Sequence, residues 1–179
     1  MTTLRNCKVL LCFLIIVISA FAQGSQPMPK IEGESLSGHT VSLPADAQGK
    51  ITVLIFGFSK ASKTPTKAWA SKIFLEFGAQ PGFSLYQLPV LEDVPRFIRG
   101  MVISSMKKGV PENMRDHFVP ILHDEAELKR LVNYKEPDDA YLVTLDSGGQ
   151  IAEQRHGPFS DAAYSQLQRE LQNLLEHSK

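Results

Sequence analysis

Beyond residue 12 the chain contains no cysteine; its two, Cys7 and Cys12, fall in the first 22 of 179 residues. Whatever folds from residue 23 onward has neither disulfide staples nor a thiolate for exchange chemistry, so its stability must come from packing. An excess of charge is missing as well. The 19 basic and 19 acidic residues balance, which gives no global attraction to nucleic acid or to an anionic membrane. Also absent is an apolar run of the roughly 20 residues that cross a bilayer; the run Val9 to Ala22 has 14. Internal repeats and low-complexity tracts are lacking, and no Gly-x-Ser-x-Gly elbow supports serine-nucleophile catalysis.

What the N-terminus does contain is the three-zone pattern of a secretory signal peptide. Arg5 and Lys8 form the positive region, Val9 to Ser19 the apolar core, and Ala20-Phe21-Ala22 the small-x-small cleavage pattern. Cleavage after Ala22 is expected, giving an exported product, periplasmic or secreted, with no stable membrane insertion. No cysteine follows the cleavage pattern to take a lipid. The 157 remaining residues carry 17 basic and 19 acidic side chains, a length that suits one domain. Residues 23–30 read as a flexible leader and 31–179 as the domain.

Ile51-Thr-Val-Leu-Ile-Phe-Gly-Phe58 is β-branched and aromatic with little polar alternation, the pattern of a central strand covered on both faces. It breaks into Ser59-Lys-Ala-Ser-Lys63. Thr64-Pro65 suits a helix start, and Trp69, Ile73 and Phe77 recur every fourth residue, which places Trp69 in the core. Ser84 to Leu91 is a second strand. A helix is predicted from about Pro95 to Lys107, with Phe97, Met101 and one of Ser104 and Ser105 facing inward. Residues 117–122 can form only a short or edge strand, because Pro120 lacks a ladder donor. Asp124-x-x-Glu127 reads as a cap for a short helix containing Leu128, Leu131 and Val132. Tyr141 to Asp146 and Ile151 to His156 form a hairpin around Ser147 to Gln150. Ser160 caps a last helix with Tyr164, Leu167, Leu171, Leu174 and Leu175 on one face. The order β-α-β-α-β-α-β-β-α from Ile51 onward predicts an α/β fold with a mixed sheet sandwiched by helices.

Three stretches together resemble the thioredoxin-like superfamily, in particular its secreted redoxin and cytochrome-maturation branches. They are Leu36-Ser-Gly-His-Thr-Val-Ser-Leu43 leading into Gly49-Lys-Ile-Thr-Val-Leu-Ile-Phe56, the strand-loop-helix unit at 51–77, and Tyr141-Leu-Val-Thr-Leu-Asp-Ser-Gly-Gly-Gln-Ile151. The resemblance covers about residues 30–177 and implies a thioredoxin-like three-layer α/β/α sandwich with a mixed central sheet. In such proteins the loop after the first core strand carries Cys-x-x-Cys, because a helix N-terminus lowers the thiol pKa. The matching loop here reads Lys60-Ala-Ser-Lys-Thr64, with Ala61 and Thr64 at the cysteine positions. The cis-proline of most redox members is matched by Ala140, with Pro137 three residues earlier.

A further stretch, Phe97-Ile-Arg-Gly-Met-Val-Ile-Ser-Ser-Met-Lys-Lys-Gly-Val-Pro-Glu-Asn-Met-Arg-Asp-His117 followed by Tyr141-Leu-Val-Thr-Leu-Asp146, is similar to the mitochondrial ATP synthase assembly factor family and its bacterial relatives. That resemblance implies an assembly chaperone on a thioredoxin-like fold rather than an oxidoreductase.

Two basic regions are candidate partner surfaces. Lys60, Lys63 and Lys67, with Ser62 and Thr64, set positive charge and hydroxyls around a helix N-terminus, where backbone donors favour an anion or an acidic peptide. The competing reading is a solvated loop, since lysines there oppose the helix dipole. Arg96, Arg99, Lys107, Lys108 and Arg115 form either a docking face around the second helix or an ordinary soluble face. His117 and His123, with Asp124 and His156, are the metal candidates. Their spacing matches no strong motif, and on an extended strand 117 and 123 lie roughly 20 Å apart. Asp146-Ser-Gly-Gly149 lacks the helix of a phosphate loop. No cofactor, metal or catalytic residue is expected. The expected function is an exported, redox-inactive domain that binds or helps assemble another protein. The alternatives are an enzyme of the redoxin or peroxiredoxin-like group with non-thiol chemistry around Lys60 to Thr64 or the histidines, and a metal-delivery protein.

Overall fold

The structure, a computed structural model, describes residues 26–178. The expected signal segment 1–22, with Cys7 and Cys12, lies outside them. In chain order the elements are β1 (Gln26–Pro27), β2 (Ile31–Glu34), β3 (Thr40–Leu43), β4 (Ile51–Gly57), α1 (Lys63–Phe77), β5 (Phe83–Pro89), α2 (Arg96–Gly109), α3 (Glu125–Leu131), β6 (Ala140–Leu145), β7 (Gln150–Gly157) and α4 (Asp161–His177). Five strands form one sheet in the order β1-β7-β6-β4-β5, and β2 and β3 form a separate hairpin. β4 is parallel to β5 and antiparallel to β6.

All seven residues of β4 are buried, as its unbroken apolar run requires of a strand covered on both faces. Alternation then sorts the side chains into two cores. Leu54, Phe56, Leu88, Tyr141 and Val143 face the β2–β3 hairpin and α3, meeting Ile31, Leu43 and Leu128. Ile51, Val53, Ile55 and Leu142 face α1 and α4, meeting Trp69, Ile73, Phe77, Tyr164, Leu167 and Leu171. The result is a three-layer α/β/α sandwich with a mixed sheet. Ser160 caps α4 by accepting from the Ala163 N–H at 3.2 Å.

Residues 118–121 run beside the outer edge of β5, with Val119 N–H donating to Gln87 and Ile121 N–H to Pro89 at 2.8 and 2.9 Å. The pairing stays at isolated bridges, because Pro120 has no N–H to extend it. His117 belongs to a 3-10 turn, Glu112–His117, ahead of that edge. The described end of the expected leader is tied down: Gln26 and Pro27 pair with Ile151 and Gln150, and Met28 is buried.

Three local expectations are corrected. α1 begins at Lys63, so Pro65 is its third residue. In α2 the side chains expected inward, Phe97 and Met101, are 89% and 69% exposed, Ser104 and Ser105 are also exposed, and no residue of the helix is buried. Both faces of the sheet are already filled, one by α1 and α4 and the other by the β2–β3 hairpin and α3, which leaves α2 no core to enter. Asp124 does not cap α3: its φ is +64°, and its carboxylate pairs with His123 at 2.5 Å. The first N–H of that helix is taken instead by Glu92, whose carboxylate accepts from Glu125 at 2.6 Å. Among the described residues no helix is long and apolar enough to cross a membrane.

Candidate functional site

Because β4 and β5 are parallel, their C-terminal ends open on the same side of the sheet, the side where open α/β sheets place their ligand sites. β4 delivers Phe58 and Ser59 there, and the chain turns through Lys60 and Ala61 into α1. Ser59 organises the turn. Its hydroxyl accepts from the N–H groups of Ala61 and Ser62 at 3.0 and 3.1 Å and donates to the Asp138 carboxylate at 3.1 Å, on the loop before β6. Ser62 turns inward, donating to the Ser59 carbonyl at 2.8 Å. A Cβ on Gly57 would lie 2.6 Å from the Ser62 hydroxyl, so the glycine at the end of β4 is what lets Ser62 nest against the strand.

Of the residues expected to form a surface here, Lys60, Lys63, Thr64 and Lys67 are exposed along the loop and the start of α1, whereas Ser62 is buried at 2% exposure. Ser62 is therefore a structural residue of the turn and offers no hydroxyl to a ligand. The donors that make a helix N-terminus attractive to anions are also largely spent. Ala61 and Ser62 donate to Ser59, Lys63 and Thr64 lean back on the carbonyls of Lys60 and Ala61 at 3.4 Å, and Pro65 has no N–H. What faces solvent is three lysines without acidic partners among the described residues.

The floor beneath this turn is aromatic. Phe58 meets Tyr134 and Tyr141 edge-on at 5.2 and 5.5 Å, and Tyr141 stacks on Tyr134 and on His156, each at 5.5 Å. The Tyr141 hydroxyl accepts from the N–H groups of Lys135 and Glu136 at 2.9 and 2.8 Å and donates to the Glu136 carbonyl at 2.8 Å, so one side chain fixes the loop that carries Asp138. His156 pairs with Asp139 at 2.7 Å. Ala140, matched above to the usual proline, is fully buried at the first position of β6, and Pro137 is exposed in the loop. Sequence reasoning missed Ser59 and Asp138. The available signal was a serine three residues ahead of Ser62 at a helix entrance, a spacing that favours local hydroxyl-to-backbone bonds.

The structure divides the second basic set. Arg99 folds back on its own helix entrance, donating to the Val94 carbonyl at 2.7 Å and to the Glu92 carbonyl, and Arg115 donates to the Val110 carbonyl at 3.1 Å. Arg96, Lys107 and Lys108 are exposed on α2.

The five histidines are dispersed among separate partners: His39 on Asp116 at 3.1 Å, His123 on Asp124, His156 on Asp139, His117 against the Tyr86 ring at 4.7 Å, and His177 on the Asn173 carbonyl at 2.6 Å. Among the described residues no three metal-ligating side chains converge. Burial lowers the pKa of His117, and Lys50 lowers it further against the opposing pull of Asp116. The unfolded chain takes up this proton near pH ~6.5 and the folded chain at lower pH. The stability held by neutral His117 is thus whole above about pH 6.5 and lost as pH falls through its folded value. The melting temperature is expected to drop between about pH 7 and about pH 5, and His117→Gln to flatten that drop. An unchanged slope in the variant would assign the pH dependence elsewhere.

No protein-family model matches the chain, and no curated protein matches it. Solved structures do. A thiol:disulfide interchange protein DsbE from Chlorobium tepidum matches with a TM-score of 0.58 and 18% identity over 84% of this chain and 96% of that one. The pneumococcal exposed lipoprotein thioredoxin Etrx1 of Streptococcus pneumoniae gives 0.55 and 15% over 80% and 100%. BsSco, a member of the Sco family of cytochrome c oxidase assembly proteins, gives 0.56 and 12% over 80% and 92%. These likenesses show the fold: the chain is a thioredoxin-like α/β sandwich. Its β4–α1 turn holds no thiol and no hydroxyl free of internal bonds at positions 59 and 62.

Proposed function

We propose that this protein is an exported, redox-inactive thioredoxin-like domain that binds another protein or helps assemble it. The observation that carries the reading is the β4–α1 turn. Ala61 and Thr64 stand at the cysteine positions implied by the resemblance, and the Ser59 hydroxyl takes the Ala61 and Ser62 N–H donors that would help hold a thiolate or other anion. A turn so closed on itself does recognition through its outer side chains, Lys60, Lys63, Thr64 and Lys67. The similarity of residues 97–117 and 141–146 to ATP synthase assembly factors favours a helper role, and the signal-like pattern of residues 1–22 favours export.

The test uses chain 23–179. Insulin reduction with dithiothreitol is expected to run at the uncatalysed rate, and affinity capture from the envelope fraction to retain one protein in stoichiometric amount. Catalysed insulin turnover, or an empty capture, would overturn the reading.

A further inference from the structure

Among the four described α-helices, α2 alone buries no residue. At 14 residues, with Gly100 in its middle and Arg96 and Arg99 opposing the dipole at its start, such a helix is marginal in water by itself. Its sequence contains four cations and no acidic residue. Phe97 and Met101, 89% and 69% exposed, are neighbours at i and i+4, and Lys108 continues the same outward line seven residues past Met101. Arg99 is held by backbone carbonyls, which leaves Arg96 at one end and Lys107 and Lys108 at the other, bracketing the two apolar side chains.

We propose that the outward face of α2 docks peripherally on an anionic phospholipid surface. Lys108 in line with Phe97 and Met101, and the exposed Arg96 and Lys107 on the flanks of that line at the two ends, complement a laterally uniform negative layer, while a protruding aromatic and a thioether suit the headgroup boundary. A second copy fits poorly, because two-fold pairing through α2 sets one row of cations against another. Two concavities, one between β2 and α3 and one along β5, contain no α2 residue in their lining, and the helix offers a partner no acidic side chain of its own. The balanced charge of the whole chain does not oppose docking, since fields at ordinary salt reach only about 10 Å and the patch is local. This docking does not rest on the helper reading: a chain that binds vesicles and captures no protein would keep the one and lose the other.

The experiment takes chain 23–179 carrying Phe97→Trp, mixed with vesicles of phosphatidylcholine alone or with an equal part of phosphatidylglycerol. Sedimentation with anionic vesicles is expected to exceed that with neutral ones by at least about tenfold, with a blue shift of emission, and to vanish near 0.5 M salt, roughly. Lys107→Glu with Lys108→Glu in the same background is expected to cut the bound fraction at least about fivefold while the far-ultraviolet circular dichroism is retained. Binding to neither vesicle, equal binding to both, or undiminished binding by the double variant each overturns the proposal. In the first case the face belongs to a protein, and a dimer in sedimentation velocity would identify a second copy.

Discussion

Ala61→Cys together with Thr64→Cys is expected to convert an inert turn into a disulfide-exchanging one, raising insulin reduction at least about tenfold over the wild-type chain 23–179. Both side chains are exposed and make no side-chain hydrogen bond, so the replacement leaves the Ser59 and Ser62 bonds intact. Residues three apart at a helix start have Cβ atoms about 5–6 Å apart, and a disulfide needs about 3.5–4.5 Å, an adjustment that a first helical turn can make. Lys60 and Lys63 flank the two positions and favour the thiolate, which should bring at least one thiol below its ordinary pKa of about 8.5. Thiol titration against pH, with the insulin assay, reads both effects. Two thiols that neither pair nor shift would mean that this turn is not the chemical counterpart of a Cys-x-x-Cys loop.

The largest loss of stability is expected from Trp69→Ala. Trp69 is 2% exposed, packs edge-on against Phe159 at 5.3 Å and beside Tyr164 at 6.4 Å, and donates its indole N–H to the Gly157 carbonyl at 3.2 Å. One side chain therefore joins α1 to α4 and to the end of β7. Truncating a buried tryptophan costs about 3–5 kcal/mol, against a total of about 5–15 kcal/mol for a domain, and residues 23 onward contain no cysteine for a disulfide to offset the loss. Urea denaturation should place the variant's midpoint far below that of the wild type. A loss under about 1 kcal/mol would show that the α1–α4 seam collapses to fill the space.

Elements governed by local patterns were legible in the sequence. β4 announced itself as an uninterrupted β-branched run, α1 and α4 by apolar spacing and the Ser160 cap, and β6–β7 by Gly148-Gly149. Spacing says which residues share a helix face but not whether a core remains for that face, and so Phe97 and Met101 were expected inward. The cap of α3 was invisible for a related reason. Asp124 is adjacent in sequence, but Glu92, 33 residues from Glu125, supplies the carboxylate. At the candidate site the lysines were legible as charge. The bond from Ser59 to Asp138 spans 79 residues, and the inward turn of Ser62 depends on the missing Cβ of Gly57; neither leaves a local trace.

Glu92 also joins the start of α2 to the start of α3. Its carbonyl accepts from Arg99 at the start of α2, and its carboxylate accepts from Glu125 at the start of α3. A helix that enters no core is thus linked to one through Glu92, beside the buried Leu91 whose N–H donates to the Ile121 carbonyl at 2.7 Å. Swinging α2 outward would draw the carboxylate away from α3 and loosen the turn that seats Leu128. A load on the outer face of α2 would therefore pull first on the two bonds that Glu92 makes.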